Sequence, residues 1–342
     1  MIQHVTTVGS GAHTYTWNDR WAQLPNPESA ATGWAHPGMA TTETGQIVTC
    51  HPGLPLLLFF DPDGTLERSF RLDITEAHGL TVTGAEGAQR LWLADSGGKR
   101  LTGSGYPIHT APEGGQAIEL TLEGHVLRRL ERPNLPVYRE GKFSPTSVVE
   151  DEERLGGRGD IWVADGYGQS LVHRYRADGS HAGTISGGEG EAGAFKTPHA
   201  VLVNRRVGDP ELYVADRANH RIQVFDLEGR FKRAFGRDVL TSPSAFAIAG
   251  DVLVVAELRA RLALFDSADQ LIGYLGAHEE VCDEPGWPNR KDEAGELIRP
   301  PRLKPGAFNS PHGVTSDTEG NIYVAEWLIG GRYTKLTKEK VG

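Results

Sequence analysis

The hydrophobic residues fall into short runs bounded by Gly, Pro, Asn and Asp. The clearest unit starts at Pro198-His199-Ala200-Val201. It passes through Leu212-Tyr213-Val214-Ala215-Asp216 and Ile222-Gln223-Val224-Phe225-Asp226, turns at Gly229, and ends at Phe231 to Phe235. These runs are too short for helices and rich in β-branched and aromatic residues, so they predict four consecutive strands joined by tight turns.

The same order of signals recurs six times, with repeats starting near residues 36, 78, 145, 198, 243 and 311. The second runs of the other copies are Ile47-Val48-Thr49-Cys50, Leu91-Trp92-Leu93-Ala94-Asp95, Ile161-Trp162-Val163-Ala164-Asp165, Leu253-Val254-Val255-Ala256-Glu257 and Ile322-Tyr323-Val324-Ala325-Glu326. Turns such as Asp61-Pro62-Asp63-Gly64 and Ala177-Asp178-Gly179 supply hairpin chemistry. One four-stranded sheet cannot bury both faces alone, so six of them predict an all-β, six-bladed β-propeller forming a single domain over residues 1–342. The last repeat stops after Tyr333-Thr334-Lys335-Leu336 without a fourth strand, while His13-Thr14-Tyr15-Thr16-Trp17 is an unassigned segment of strand type. The expectation is that this N-terminal strand completes the last blade and closes the ring, removing exposed edges. With Pro-x-Gly, Val-Ala-Asp and Asp-x-x-Gly in this order, the chain resembles NHL-repeat propellers, a resemblance that runs from about Trp34 to Leu336.

Composition agrees with this picture and narrows the partners. The hydrophobic set is 38% and charged residues 23%, enough for a packed core, and 43 Gly with 20 Pro suit a chain that turns often. A formal net charge of -10 without a basic run counts against nucleic acid and anionic membranes as partners. Met1-Ile2-Gln3-His4-Val5-Thr6 lacks a charged region followed by an apolar core, and no stretch is long and apolar enough to span a bilayer, so a cytoplasmic protein is expected. Cys50 and Cys282 are too few for a disulfide framework, although a single bridge between them stays open. Oligomeric state is left undetermined.

Aligning the starts of the first strands places Pro37, His78, Thr146, His199, Ser244 and His312 at one structural position. Histidine therefore occupies every second blade. First strands line the channel of a propeller, so the three imidazoles are expected at one height, about 120° apart. Such convergence suits a divalent metal, with zinc ahead of other ions because no thiolate is in position and a fourth coordination place stays free. Taken singly, each histidine would read as a residue that fixes its strand through a backbone hydrogen bond; the alternation favours metal. His51, His109, His173, His220 and His278 lack that symmetry.

Residues that follow the second strand should return to the same face. These are Ser96, Gly166-Tyr167, Arg217, Leu258-Arg259 and Trp327, whereas Asp95, Asp165 and Asp216 read as turn-forming residues. Tyr167 offers a phenol for proton transfer, and Arg217 a permanent cation for a carboxylate or oxyanion. Three long segments, Leu130 to Phe143, Gly276 to Phe308 and Gly97 to Gly115, are expected to roof this face and bound a pocket for a small-molecule substrate.

The strings Asp165-Gly166-Tyr167-Gly168-Gln169-Ser170, Pro198-His199 and Val214-Ala215-Asp216-Arg217-Ala218-Asn219-His220-Arg221 resemble peptidyl-α-hydroxyglycine α-amidating lyase. That resemblance implies a six-bladed NHL propeller with a zinc on His78, His199 and His312, Tyr167 as base and Arg217 as carboxylate or oxyanion partner. The chain departs from the family pattern in four ways. His51-Pro52-Gly53 replaces a His-Arg-Gly motif, so the first-blade arginine is missing. Gly168 stands where the family has a disulfide cysteine, and Gly313 where an acidic residue helps hold calcium, which counts against a structural calcium. The hydroxylating monooxygenase domain and the secretion signal that accompany peptide amidation are also absent from the sequence. The expected function is therefore a metal-dependent lyase or hydrolase of a small polar, hydroxylated or carbonyl-containing molecule. The rival is a non-catalytic NHL interaction propeller with structural histidines. A gluconolactonase-like calcium hydrolase is disfavoured, because calcium wants oxygen ligands and the channel offers imidazoles.

Overall fold

A computed structural model describes residues 6–340, and six antiparallel sheets arranged as blades make up its body. The first strands are Met39–Thr41, Ala77–Thr83, Ser147–Glu150, Pro198–Asn204, Pro243–Ala249 and Pro311–Ser316. Each lies against the first strand of the next blade, and the sixth lies against the first, so the ring is closed. The second strands, Ile47–Cys50, Arg90–Asp95, Ile161–Asp165, Glu211–Asp216, Val252–Glu257 and Ile322–Glu326, are almost fully buried because both of their faces meet neighbouring blades. Their near-continuous apolar sequences follow from that position.

The apolar core is divided into clusters between successive blades. One example joins Val254 and Leu264 of the fifth blade to Val324 and Leu336 of the sixth; another joins Leu57 and Phe59 of the first to Leu91 and Leu93 of the second. The sixth blade contains both ends of the described chain. His13–Asn18 pairs antiparallel with Tyr333–Lys338, Tyr15 lying opposite Lys338 and Asn18 opposite Lys335. Closure by the N-terminal segment is as expected, but the blade has five strands instead of four. Thr7–Ser10 folds back on His13–Asn18 and covers its outer edge. Trp17 anchors the closure, with its ring 4.6 Å from that of Phe308.

In five blades the second strand ends on a carboxylate that binds the backbone leading into the first strand. Asp95 accepts from the N–H groups of Thr75 and Glu76, Asp165 from Ser144, Asp216 from Lys196, Glu257 from Ser242, and Glu326 from Asn309 and Ser310. These acids are structural, as their turn context suggests. In the first blade Cys50 holds this place, and the lead-in is fixed from the sixth blade instead. Ala35 N–H donates to Leu328 O at 3.0 Å, and Trp34 bridges Ile329.

Asp165 also positions the loop after it, accepting from Gln169 N–H at 2.7 Å and from the Tyr138 hydroxyl at 2.6 Å. Burial pushes this carboxyl up to about 6. The Tyr138 oxygen in turn meets His173 Nε2 at 2.7 Å, and His173 Nδ1 meets Thr184 Oγ1 at 2.8 Å. Cys50 and Cys282 are both buried free thiols, so the bridge left open by the sequence is not formed. No helix among the described residues is long and apolar enough to cross a membrane.

Trp17→Ala removes the buried closure anchor and should cost about 3–5 kcal/mol, read as a lower urea midpoint. Burial pushes His173 down to about 3, with His181 adding to the shift, so the folded protein holds it neutral while the unfolded chain protonates it below its ordinary value of 6.5. Its contribution to stability is therefore present above pH 6.5 and lost as pH falls toward 3. A His173→Gln variant should show a flatter decline of stability across that window in pH-dependent urea melts.

Candidate metal centre

The placement of the histidines begins with an irregularity in the sheet. In the second blade Ala77 pairs with Asp95 and Gly79 with Ala94, which leaves His78 as the extra residue of a β-bulge. His312 is the extra residue between Pro311 and Gly313, and the register slips in the same way between Pro198 and Val201, around His199. A bulge re-aims its side chain out of the normal alternation, here toward the ring axis. The residues that follow two of these histidines must be small. A Cβ at Gly79 would lie 2.5 Å from Thr146 O, and one at Gly313 would lie 2.5 Å from Pro37 O. Position 313 therefore has no room for the acidic side chain of the amidating-lyase pattern.

Each imidazole is then locked to the next blade. Nδ1 of His78 donates to Thr146 O at 2.6 Å, Nδ1 of His199 to Ser244 O at 2.6 Å, and Nδ1 of His312 to Pro37 O at 3.1 Å. The intervening positions do the same with hydroxyls: Thr146 donates to Pro198 O at 3.0 Å and Ser244 to Pro311 O at 3.1 Å. A carbonyl can only accept, so Nδ1 carries the proton and Nε2 presents a lone pair to the axis. Burial pushes all three imidazoles well below the ordinary histidine range. The charge that His36 would carry if protonated adds to this for His78 and His312, and the Arg217 guanidinium for His199. They are therefore neutral, as imidazoles that ligate a metal must be.

A fourth histidine stands with them. His36, the residue before Pro37, joins His78, His199 and His312 in a cluster whose ligand atoms all lie within 4.8 Å of one another. Its Nδ1 faces Glu76 Oε2 at 3.1 Å, and Glu76 also takes Lys99 Nζ at 2.7 Å. Burial alone would raise the Glu76 carboxyl, but Lys99 and His36 outweigh it and hold the group below its ordinary range.

Tyr167 lies over this cluster. Its Oη is 2.9 Å from His199 Nε2, 3.2 Å from His36 Nε2 and 3.3 Å from His78 Nε2, and it accepts from Arg217 Nη1 at 3.2 Å. One phenolic proton cannot satisfy three imidazole lone pairs, and His312 Nε2 is buried with no partner at all. A donor set this rich in lone pairs and this poor in protons fits a cation. All its atoms are imidazole nitrogens, which suits zinc and other borderline divalent ions.

Above the cluster opens a cavity of about 280 Å³. Its walls include Trp34, Trp327 and Ile108, and four cations face it: Lys99, Arg100, Lys142 and Arg217. Glu76 is the one carboxylate in the lining, and it is already engaged by Lys99 and His36. Tyr167, Arg217, Ser96, Leu258 and Trp327 all line the cavity, as their position after the second strand predicts. Arg259 does not; it turns outward to Asp283 at 3.2 Å. The 97–115 insertion forms a ribbon of Gly98–Arg100 and Ile108–Thr110 along one wall, and the 130–143 segment contributes Lys142. The 276–308 segment stays outside the cavity lining and buttresses it from behind: the Trp287 ring is 6.1 Å from that of Trp327, Leu297 packs against the Trp34 cluster, and Glu296 accepts from Ser104 Oγ at 2.7 Å in the 97–115 insertion. His51 is buried away from the cluster, its Nε2 on Pro25 O at 3.0 Å, and His109, His173, His220 and His278 also lie outside it.

His36, Glu76 and Lys99 are the site residues that sequence reasoning missed. The signal for His36 was present, since His36-Pro37-Gly38 transposes the Pro-His-Gly of the sixth blade. Alignment on Pro37 hid it. Glu76 and Lys99 carry no local signature, because one precedes a strand and the other sits in an insertion.

No family model matches the chain. Among curated proteins it is 27% identical over 214 residues to NHL repeat-containing protein 3 of Mus musculus, covering 60% of this chain and 56% of that protein. The protein of the same name from Homo sapiens matches equally, at 27% over 215 residues. Protein brain tumor of Drosophila melanogaster is 31% identical over 146 residues, 40% of this chain and 11% of that one. The chain thus spans about half the length of the NHL repeat-containing relatives. Among solved structures, a streptogramin B lyase superposes with a TM-score of 0.57 at 12% identity, covering 97% of this chain and 100% of that one. A catalytically inactive virginiamycin B lyase from Staphylococcus aureus with quinupristin gives 0.55 at 14% identity, over 94% and 99% of the two chains. At these identities the structural likeness concerns the fold alone. Blade count, repeat motifs and relatives agree that the chain is an NHL-type six-bladed β-propeller.

Proposed function

We propose that the protein is a metal-dependent enzyme, a lyase in reaction type, acting on a small anionic molecule that carries a hydroxyl beside a breakable carbon–heteroatom bond. The observation that carries this reading is the convergence of neutral Nε2 lone pairs from His78, His199 and His312, each fixed by its own Nδ1–H bond, beneath a cationic cavity. The resemblance of the Tyr167 and Arg217 strings to amidating lyases supports the same chemistry class. The first-blade arginine of that family is replaced by Pro52, and His36 and Lys99 serve that side of the cavity instead.

A divalent ion held by the three histidines would supply Lewis acidity toward a substrate oxygen. The protein's own groups account for the rest. Arg217 and the neighbouring lysines bind a carboxylate or developing oxyanion and orient the molecule over the cluster. Tyr167, with Arg217 Nη1 against its oxygen, takes the proton of the substrate hydroxyl. As the carbon–heteroatom bond breaks and a carbonyl forms, Tyr167 gives its own phenolic proton to the leaving heteroatom in exchange, so the step balances without an external reactant. Trp34 and Trp327 shield the site from bulk water.

Metal analysis of protein purified without a metal-affinity column tests the premise. About one divalent ion per chain is expected in the wild type and almost none in His199→Ala; a metal-free wild type that rebinds no zinc would instead support an interaction propeller with structural histidines. In assays across carbinolamides, hydroxy acids and lactones, Tyr167→Phe should lower kcat by about 10²–10⁴ with little change in KM. Arg217→Ala should raise KM for carboxylate substrates and leave that for their neutral amides nearly unchanged.

A further inference from the structure

We propose that His36 is a fourth metal ligand, so that the centre is a four-histidine site with Glu76 as its outer carboxylate. This rests on the metal-site reading above and extends it to a residue outside the alternate-blade pattern. Three observations carry it. His36 belongs to the cluster whose ligand atoms lie within 4.8 Å of one another, and its ring is 4.4 Å from that of His312 and 4.5 Å from that of His78, centroid to centroid. The Nδ1 of His36 is committed to a carboxylate, Glu76 Oε2 at 3.1 Å, just as Nδ1 of the other three is committed to a carbonyl. Nε2 is thereby left facing the same centre, 3.2 Å from the Tyr167 oxygen that His199 and His78 also approach. Finally, the backbone carrying His36 is held by the Trp34–Ile329 bridge and the bond from Ala35 N–H to Leu328 O, so the ring is built into place and does not hang from a loose loop.

A carboxylate behind a ligating imidazole is a recurrent device that orients the ring and raises its basicity. Lys99, 2.7 Å from the other Glu76 oxygen, balances that charge in a buried setting. The donor set itself contains only neutral nitrogens, so a dication here would keep its full charge. Together with Lys99, Arg100, Lys142 and Arg217, this favours an anion in the cavity above the cluster.

X-ray absorption on the zinc-loaded wild-type protein, with metal affinity from chelator competition, tests the inference. Four imidazole scatterers at about 2.0–2.1 Å are expected in the wild type and three in His36→Ala. Glu76→Gln, which keeps the side-chain shape, should retain four scatterers and weaken zinc binding about 10–100-fold. Circular dichroism of each variant confirms that the propeller is intact, and the wild-type scatterer count stands even if a variant fails to fold. Three imidazoles in the wild type, or an affinity unaltered by His36→Ala, would overturn the fourth-ligand assignment while leaving the three-histidine reading in place. Failure of the wild type to bind zinc at all would overturn both.

Discussion

The hydrogen bond from each inner-ring side chain to a carbonyl of the following blade is the constraint on which this molecule turns. His78, Thr146, His199, Ser244 and His312 all make it, and Pro37, the sixth residue of the set, has no donor to give. The bond holds successive blades together where they approach most closely. In the histidines it does a second thing, because consuming Nδ1–H leaves Nε2 unprotonated and aimed inward. Structural and chemical readings of these histidines are thus not alternatives. The contact that would make a lone histidine merely structural is also the one that leaves its Nε2 lone pair free.

Much of this was legible in the residues. Blade count, strand order and ring closure followed from the recurrence of apolar runs ending in Ala-Asp or Ala-Glu and from the unpaired segment around Trp17. The alternation of His78, His199 and His312 predicted a common height and direction, which the bulges deliver. Other features were hidden for definite physical reasons. The fifth strand of the last blade is a short run, Thr7–Ser10, with no apolar alternation because it lies at the outer edge. His36 is masked by the alignment on Pro37, and its lead-in segment departs from the repeat rule as well, being held by contacts with the sixth blade because Cys50 replaces the acid at the end of its own second strand. Spacing within one repeat cannot report a partner almost the whole chain away. Arg259 shows the opposite error: its position after the second strand is right, but Asp283 draws it outward.

The cavity's electrostatics depend on the same layering. Carboxylates at the ends of second strands are consumed by backbone N–H groups and by partners such as Arg221 and Arg332, so they add no free negative charge to the mouth. A chain with a net charge of -10 can in this way present a locally cationic cavity. The overall acidity says little about what the site attracts, since the potential at a narrow opening is set by the groups that remain unneutralised there.

The seam in the sixth blade has a consequence for how the ring is made. Residues near the start of the chain must find the strand Tyr333–Lys338, so the loop that this pairing closes is nearly as long as the protein itself. The entropic toll grows only logarithmically with loop length, yet productive encounter of such remote segments is slow. Until it happens, the hairpin of Ile322–Glu326 and Tyr333–Lys338 exposes an unpaired margin. His312 hangs on that same blade, so an incompletely zipped ring would carry a lopsided ligand set. The geometry of the histidine cluster is thereby tied to the pairing of the two remote ends of the chain.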